Sequence, residues 1–255
     1  MQIKGKVFLV AGGAAGLGAS VCEMIIEYGG RVIISDINDQ NGKKLSDKLG
    51  KNAYFIKTDV TSEESAKRAV MEGKEKMGGL HGLINCARIG VAERIVNKKS
   101  IHSLEHFSRV IQINLVGTFN MLRLVGAELQ HNQENEEGER GIVINTASIA
   151  AYEGQVGQSA YSVSKSGVVG LTLPAAREFA SFGVRVMAIA PGTFDTHHLD
   201  FLPKEAKNKL GESTPFPKRL GQTEEFAMLV RQIIENPMLN GETIRLDGAL
   251  RMPPK

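Results

Sequence analysis

The sequence predicts an α/β fold: a doubly wound parallel sheet of about seven strands, with helices on both faces. Three observations predict it. Short apolar runs recur along the 255 residues, longer amphipathic segments separate them, and a glycine cluster lies between the first run and the first helical pattern. The runs are Val7–Val10, Val32–Ser35, Ala53–Ile56, Leu80–Asn85, Ile142–Asn145, Val184–Ile189 and Thr243–Leu246. Several are near-continuously apolar rather than alternating, as strands covered on both faces should be. The helical segments are Leu17–Tyr28, Gln40–Leu49, Glu63–Met77, Leu104–Gln130, Ala160–Ser181 and Thr223–Glu235, the last opening with Glu224 and Glu225 in its first turn. Gln130–Arg140 and Glu93–Ser103 read as polar insertions, and no linker divides the chain, so residues 1–255 are expected to form one domain.

Composition narrows the functional classes. Hydrophobic residues at 42% and charged residues at 23% exclude disorder, and two Cys exclude a disulfide scaffold while pointing to a reducing compartment. A net charge of +3 does not by itself predict nucleic-acid binding. No uninterrupted apolar run reaches the roughly 18 residues of a membrane span. The 28 glycines are the unusual feature, above the average share of about 7%.

The glycines matter first at Ala11-Gly12-Gly13-Ala14-Ala15-Gly16-Leu17-Gly18, directly after the first strand. In that position they permit a tight turn, close approach to a pyrophosphate and close helix–strand packing, while the helix N-terminus offers free N–H groups. Gly12, Gly16, Leu17 and Gly18 are therefore expected to hold a dinucleotide. The second strand ends at Ser35-Asp36, and no Arg or Lys follows at 37 or 38. A carboxylate there accepts from ribose hydroxyls and repels a 2′-phosphate, so NAD is favoured over NADP.

Tyr161 and Lys165 stand four apart on one face of a helix start, with Ser148 thirteen residues earlier and Asn114 in a long helix. Hydride transfer at a secondary alcohol requires a proton to leave or reach the same oxygen. A tyrosine hydroxyl ordinarily titrates near about pH 10 and serves only where a cation stabilises its phenolate. Lys165 is that candidate cation, Ser148 a donor to the substrate oxygen, and Asn114 a holder of water linking Lys165 to solvent.

These residues occur in an order that resembles the short-chain dehydrogenase/reductase family over nearly the whole chain. The segments Tyr152–Gln158, Pro215-Phe216-Pro217, Glu235-Asn236-Pro237 and Arg245–Met252 resemble its branch acting on 3-hydroxyacyl-CoA thioesters and hydroxysteroids. The resemblance implies an EC 1.1.1-class, NAD-dependent interconversion of 3-hydroxyacyl-CoA and 3-ketoacyl-CoA, with some activity on steroid alcohols. It implies that Asp59-Val60 meets the adenine, Asn85-Cys86-Ala87 lies beside the adenosine ribose, and Pro191-Gly192 with Thr196 holds the carboxamide side of the nicotinamide. It also implies a homotetramer built on Leu104–Gln130 and Ala160–Ser181, a substrate loop at about 193–212, and for animal relatives a second role in a mitochondrial tRNA-processing complex. The mitochondrial matrix is the implied location in a eukaryote and the cytoplasm otherwise. The first acidic residue is Glu23 but the glycine loop starts by Gly12, leaving no room for a long presequence.

Four positions depart from the family pattern. Ala11 and Ala15 lack expected hydroxyls, and Thr193–His198 is more polar than the relatives' loop, which opens the alternative of a more polar alcohol. Arg88 replaces a glycine; it either crowds the cofactor or turns outward, and is a candidate partner for a phosphate of NAD or CoA. His102 and His106 lack a third ligand at a diagnostic spacing, so no metal site is expected. Lys98, Lys99, His197 and His198 read mainly as solvated positions, and Cys22 and Cys86 as buried thiols. The rivals are a dehydrogenase for a steroid or polyol and a scaffold with vestigial catalysis.

Overall fold

A computed structural model describes residues 1–98, 100–196 and 203–254. Its strands are β1 (Val7–Ala11), β2 (Arg31–Asp36), β3 (Ala53–Lys57), β4 (Gly82–Asn85), β5 (Gly141–Thr146), β6 (Val184–Pro191) and β7 (Thr243–Leu246). All pair in parallel in the order β3-β2-β1-β4-β5-β6-β7. Every expected strand forms. β1, β4, β5 and β6 are buried at every residue, which explains their near-continuous apolar character.

The helices are α1 (Gly16–Glu27), α2 (Asp39–Leu49), α3 (Glu63–Met77), α4 (Leu104–Ile111), α5 (Gly117–Leu129), α6 (Ser159–Ala180), α7 (Lys204–Glu212) and α8 (Thr223–Glu235). One core joins Phe8, Val10, Ile34 and Met187 to Val21 and Ile25 of α1 and Phe226 and Val230 of α8. On the other face Leu9, Ile33, Leu83 and Val143 meet Val70 of α3, Met121 and Val125 of α5, and Ala176 of α6. Alternate residues of each strand thus feed opposite cores.

Several helix starts follow side-chain caps: Asn38, Ser62 and Ser103 accept from Asn41, Ser65 and His106 N–H, and Gln222 forms a capping box with Glu225. α5, α6 and α7 start without a side-chain cap, and so does α1. Its cap is Ala15, with no side-chain hydrogen bond and no acidic residue in the first turn.

Two departures from expectation have physical causes. The segment expected as one helix over Leu104–Gln130 is interrupted by a π-helical turn at Gln112–Val116. Its apolar stripe continues across the turn, so periodicity does not reveal it. Together Leu104–Leu129 is long and apolar enough, at a mean hydropathy of 1.3, to cross a membrane by length and composition alone, yet half of that window is buried in the fold. The second is α7, read only as loop. Among its residues only Gly211 is buried, so it carries no apolar stripe to detect.

The chain leaves β1 for β2 and β3 on one side, and β4 to β7 build out on the other. The crevice beyond the C-terminal ends of β1 and β4 is this sheet's switch point, where ligands of such folds bind.

Candidate active site

β1 delivers the chain to Gly12, whose φ of +73° favours glycine and whose N–H donates to the Ser35 carbonyl at 2.8 Å. A methyl group there would stand 2.5 Å from the Ala87 nitrogen, so the loop packs on the end of β4 without room for a side chain. A methyl at 18 would overlap the Gly12 carbonyl oxygen, which holds α1 against the loop. The uncapped first turn of α1 consequently points its N–H groups into a cleft of about 350 Å³.

Asp36 closes one end of that cleft. Its Oδ2 accepts from Ala14 N–H at 3.0 Å and its Oδ1 from Asn38 N–H at 2.9 Å, which aims the carboxylate beside the loop. Asp59 and Val60 line the cleft after β3; Asp59 Oδ1 accepts from Thr61 N–H at 2.9 Å, and the Val60 carbonyl from Asn120 Nδ2 at 2.9 Å. Cys86 and Ala87 form its floor, with Cys86 N–H donating to the Ala11 carbonyl at 2.7 Å. Burial pushes the Cys86 thiol up to about 11, so it stays protonated. Asn85 lies beneath, its Nδ2 donating to Asn145 Oδ1 at 2.9 Å across to β5.

The second half of the site comes from β5, α6 and β6. Ser148 follows β5, and its Oγ accepts from Ala150 N–H at 3.1 Å, leaving its own proton to donate. Tyr161 and Lys165 sit one turn apart on α6, the Lys165 Nζ 5.8 Å from the centre of the Tyr161 ring. Lys165 is buried, and its Nζ donates to the Thr146 carbonyl at 2.6 Å. Burial, and then the nearby Arg88 cation, lower its pKa from the ordinary lysine value to about 7. Ser148, Tyr161, Pro191, Gly192 and Thr196 border a small pocket of about 80 Å³ that shares Leu17, Arg88 and Thr196 with the larger cleft.

Asn114 is fully buried in the π turn. It accepts from Ile89 N–H at 2.8 Å, and its Nδ2 donates to the Ile89 carbonyl at 2.9 Å and to Ser164 Oγ at 3.1 Å. Ser164 Oγ in turn donates to the Tyr161 carbonyl at 2.7 Å. Asn114 thus ties the segment after β4 to the helix bearing Tyr161.

The sequence-expected residues gather around one crevice, with Asn85, Asn114 and Lys165 behind its walls. Sequence reading missed Thr146, the acceptor for Lys165, although it directly follows Asn145 at the end of β5. It also missed Ser164, whose signal was its place one turn after Tyr161. His102 and His106 turn to Glu93, through its carbonyl at 3.0 Å and its Oε2 at 3.0 Å, respectively. Among the described residues no cluster of His, Cys, Asp or Glu could hold a metal ion. Lys99, His197 and His198 lie outside the described residues.

A parallel sheet with a glycine loop at its switch point, joined to a Ser–Tyr–Lys pocket, defines a dinucleotide-dependent oxidoreductase. The chain belongs to the short chain dehydrogenase family, whose model matches residues 6–207. Among proteins similar to it, 3-hydroxyacyl-CoA dehydrogenase type-2 of Bos taurus is 50% identical, covering 99% of this chain and 98% of the relative. The Homo sapiens protein of the same name is 49% identical at the same coverage. A crystal structure of 3-hydroxyacyl-CoA dehydrogenase type-2 from Mycobacterium avium superposes with a TM-score of 0.95 at 43% identity, covering 98% of each chain. This chain is an NAD-dependent oxidoreductase acting between secondary alcohols and ketones.

Proposed function

We propose that the substrate pair is 3-hydroxyacyl-CoA and 3-ketoacyl-CoA. The observation that carries the catalytic reading is the shared pocket of Ser148 and Tyr161, backed by the buried Lys165 and opening into the glycine-loop cleft. The relatives' names support the substrate class. So does a groove of about 540 Å³ beside the start of α6, lined by the exposed Ile95, Val96 and Val156, which suits an acyl chain.

The cleft fits NAD: uncapped N–H groups meet a pyrophosphate, and Asp36 meets unphosphorylated ribose hydroxyls. When bound, NAD supplies the hydride acceptor. Ser148 Oγ–H donates to the substrate oxygen and orients the carbon bearing it. Tyr161, as phenolate, takes the hydroxyl proton during oxidation and returns it during reduction. Protonated Lys165 stabilises that phenolate. Asn114 and Ser164 hold α6 against the segment after β4, which fixes Tyr161 relative to the cleft. The polar Thr193–Thr196 stretch belongs to the loop that covers the substrate.

Tyr161→Phe should abolish NADH formation from 3-hydroxybutyryl-CoA while leaving the NADH dissociation constant within about twofold. Full turnover would remove Tyr161 from the mechanism, and a steroid or polyol outperforming acyl-CoA in kcat/KM would replace the substrate reading. The exposed Val116, Phe119 and Val163 on the α5–α6 side support assembly into a homotetramer, which light scattering would test. Resemblance to the animal relatives supports the mitochondrial matrix in a eukaryotic cell, and fractionation would test it. Nothing in the site or the comparisons favours a tRNA-processing role.

A further inference from the structure

Arg88 stands where the cofactor cleft and the catalytic pocket meet, and it lines both. Its side chain is half-buried, yet no described residue engages it in a hydrogen bond or ion pair. Other enclosed arginines here have partners: Arg185 pairs with Glu139 at 2.7 Å, Arg245 with Glu153 at 2.7 Å, and Arg31 donates to the Met77 and Gly5 carbonyls. A guanidinium withdrawn from water without a carboxylate is a group awaiting an anion. The backbone accommodates it, since Ala249 is the one described non-glycine residue with a positive φ.

The electrostatic content of the cleft says which anion. Its charged lining residues are Asp36, Asp59 and Arg88, so the two carboxylates outnumber the single cation. The loop Ala11–Gly18 has no hydroxyl, amide or charged side chain at any position. Against a dinucleotide's two phosphate charges it offers only backbone N–H groups and a helix end worth about half a charge. Arg88 lines the cleft together with Gly16, Leu17 and Gly18 of the uncapped start of α1, and shares Leu17 and Thr196 with both compartments.

We propose that Arg88 binds the pyrophosphate of the dinucleotide and supplies the formal positive charge that the glycine loop lacks. The inference rests on the cleft being the NAD site. It has a second consequence at the catalytic amine. Arg88 borders the same pocket as Thr146, the acceptor of Lys165, and in the free protein its cation adds to burial in opposing a proton on Lys165. Pairing Arg88 with a phosphate cancels that opposition, so cofactor binding draws a proton onto Lys165 near neutral pH.

The test is calorimetric titration of the wild type, Arg88→Gly and Arg88→Lys with NADH, ADP-ribose and adenosine. Arg88→Gly should weaken NADH and ADP-ribose about tenfold or more, leave adenosine unchanged, and flatten the salt dependence; Arg88→Lys should fall between. At pH 7.5, two buffers of different ionisation enthalpy should show proton uptake on NADH binding to the wild type and less in Arg88→Gly. Unchanged NADH and ADP-ribose affinities would overturn the proposal; a raised KM for acetoacetyl-CoA alongside them would assign Arg88 to the substrate. Equal weakening of all three ligands would overturn it too, as general damage to the cleft. Failure of the wild type to bind NADH at all would instead defeat the cofactor reading beneath it.

Discussion

Asp36→Asn isolates the charge that selects the cofactor. The carboxylate accepts from Ala14 and Asn38 N–H at 3.0 and 2.9 Å, so it is held in place rather than free to turn from a 2′-phosphate. Two unit charges 4 Å apart repel by about 4 kcal/mol at an effective dielectric near 20. Asp36 is half-buried, so exchange with solvent and salt leaves about half, roughly 2 kcal/mol or 30-fold. Asparagine removes that repulsion. It also turns a charge-assisted bond to the ribose into a neutral one, which costs NAD about 1 kcal/mol, or roughly fivefold. The two effects predict a fall of about a hundredfold in the ratio of kcat/KM for NAD over NADP. The assay is initial-rate NADH and NADPH formation on one acyl-CoA substrate, with thermal denaturation to confirm folding. A ratio changed by less than about threefold would refute the assignment of Asp36 as the discriminating charge.

Four further perturbations have defined outcomes. Gly18→Ala sets a methyl against the Gly12 carbonyl, so NADH affinity measured by fluorescence should fall at least about tenfold; an unchanged affinity would mean that the loop is free to shift. Lys165 loses its proton as pH rises through about 7, so kcat/KM for the cofactor, which reports free-enzyme ionisations, should decline on that side. Arg88→Gly removes an opposing cation and should move the limb to higher pH, though burial, the larger cause, keeps it below the ordinary lysine value; a stationary limb contradicts the coupling. Phe226 is fully buried and meets Phe194 edge-on at 6.5 Å, so Phe226→Ala should cost about 3–5 kcal/mol in urea denaturation, and a loss below about 1 kcal/mol would disprove tight packing there.

What could be read from the sequence depended on how local each signal was. The strands were legible because burial on both faces leaves runs of apolar residues with no competing pattern. The glycine loop and the Tyr161–Lys165 pair were legible because each lies within a few residues of an element boundary. The π turn was not, because apolar residues run on across it and the contact its Asn114 makes is with Ile89, 25 residues away. α7 was not, because a helix with almost no buried face leaves no periodic trace. The lowered affinity of Lys165 for its proton was also hidden, since it arises from enclosure by β5 and from Arg88, which no spacing along α6 records.

The five residues from Asn85 to Ile89 bear on every part of the crevice. Ala87 presses on Gly12, Arg88 looks into both compartments, and Ile89 is gripped by the asparagine that steadies α6. Cofactor seat and proton-transfer residue therefore share one girder, and a mutation in it cannot retune one without disturbing the other. The end of β2 is tied to the glycine loop and to β3, but among the described residues it makes no hydrogen bond to Ser148, Tyr161 or Lys165. Descendants of this chain could exchange one dinucleotide for the other at Asp36 cheaply, whereas changes at 87–89 would alter binding and rate together.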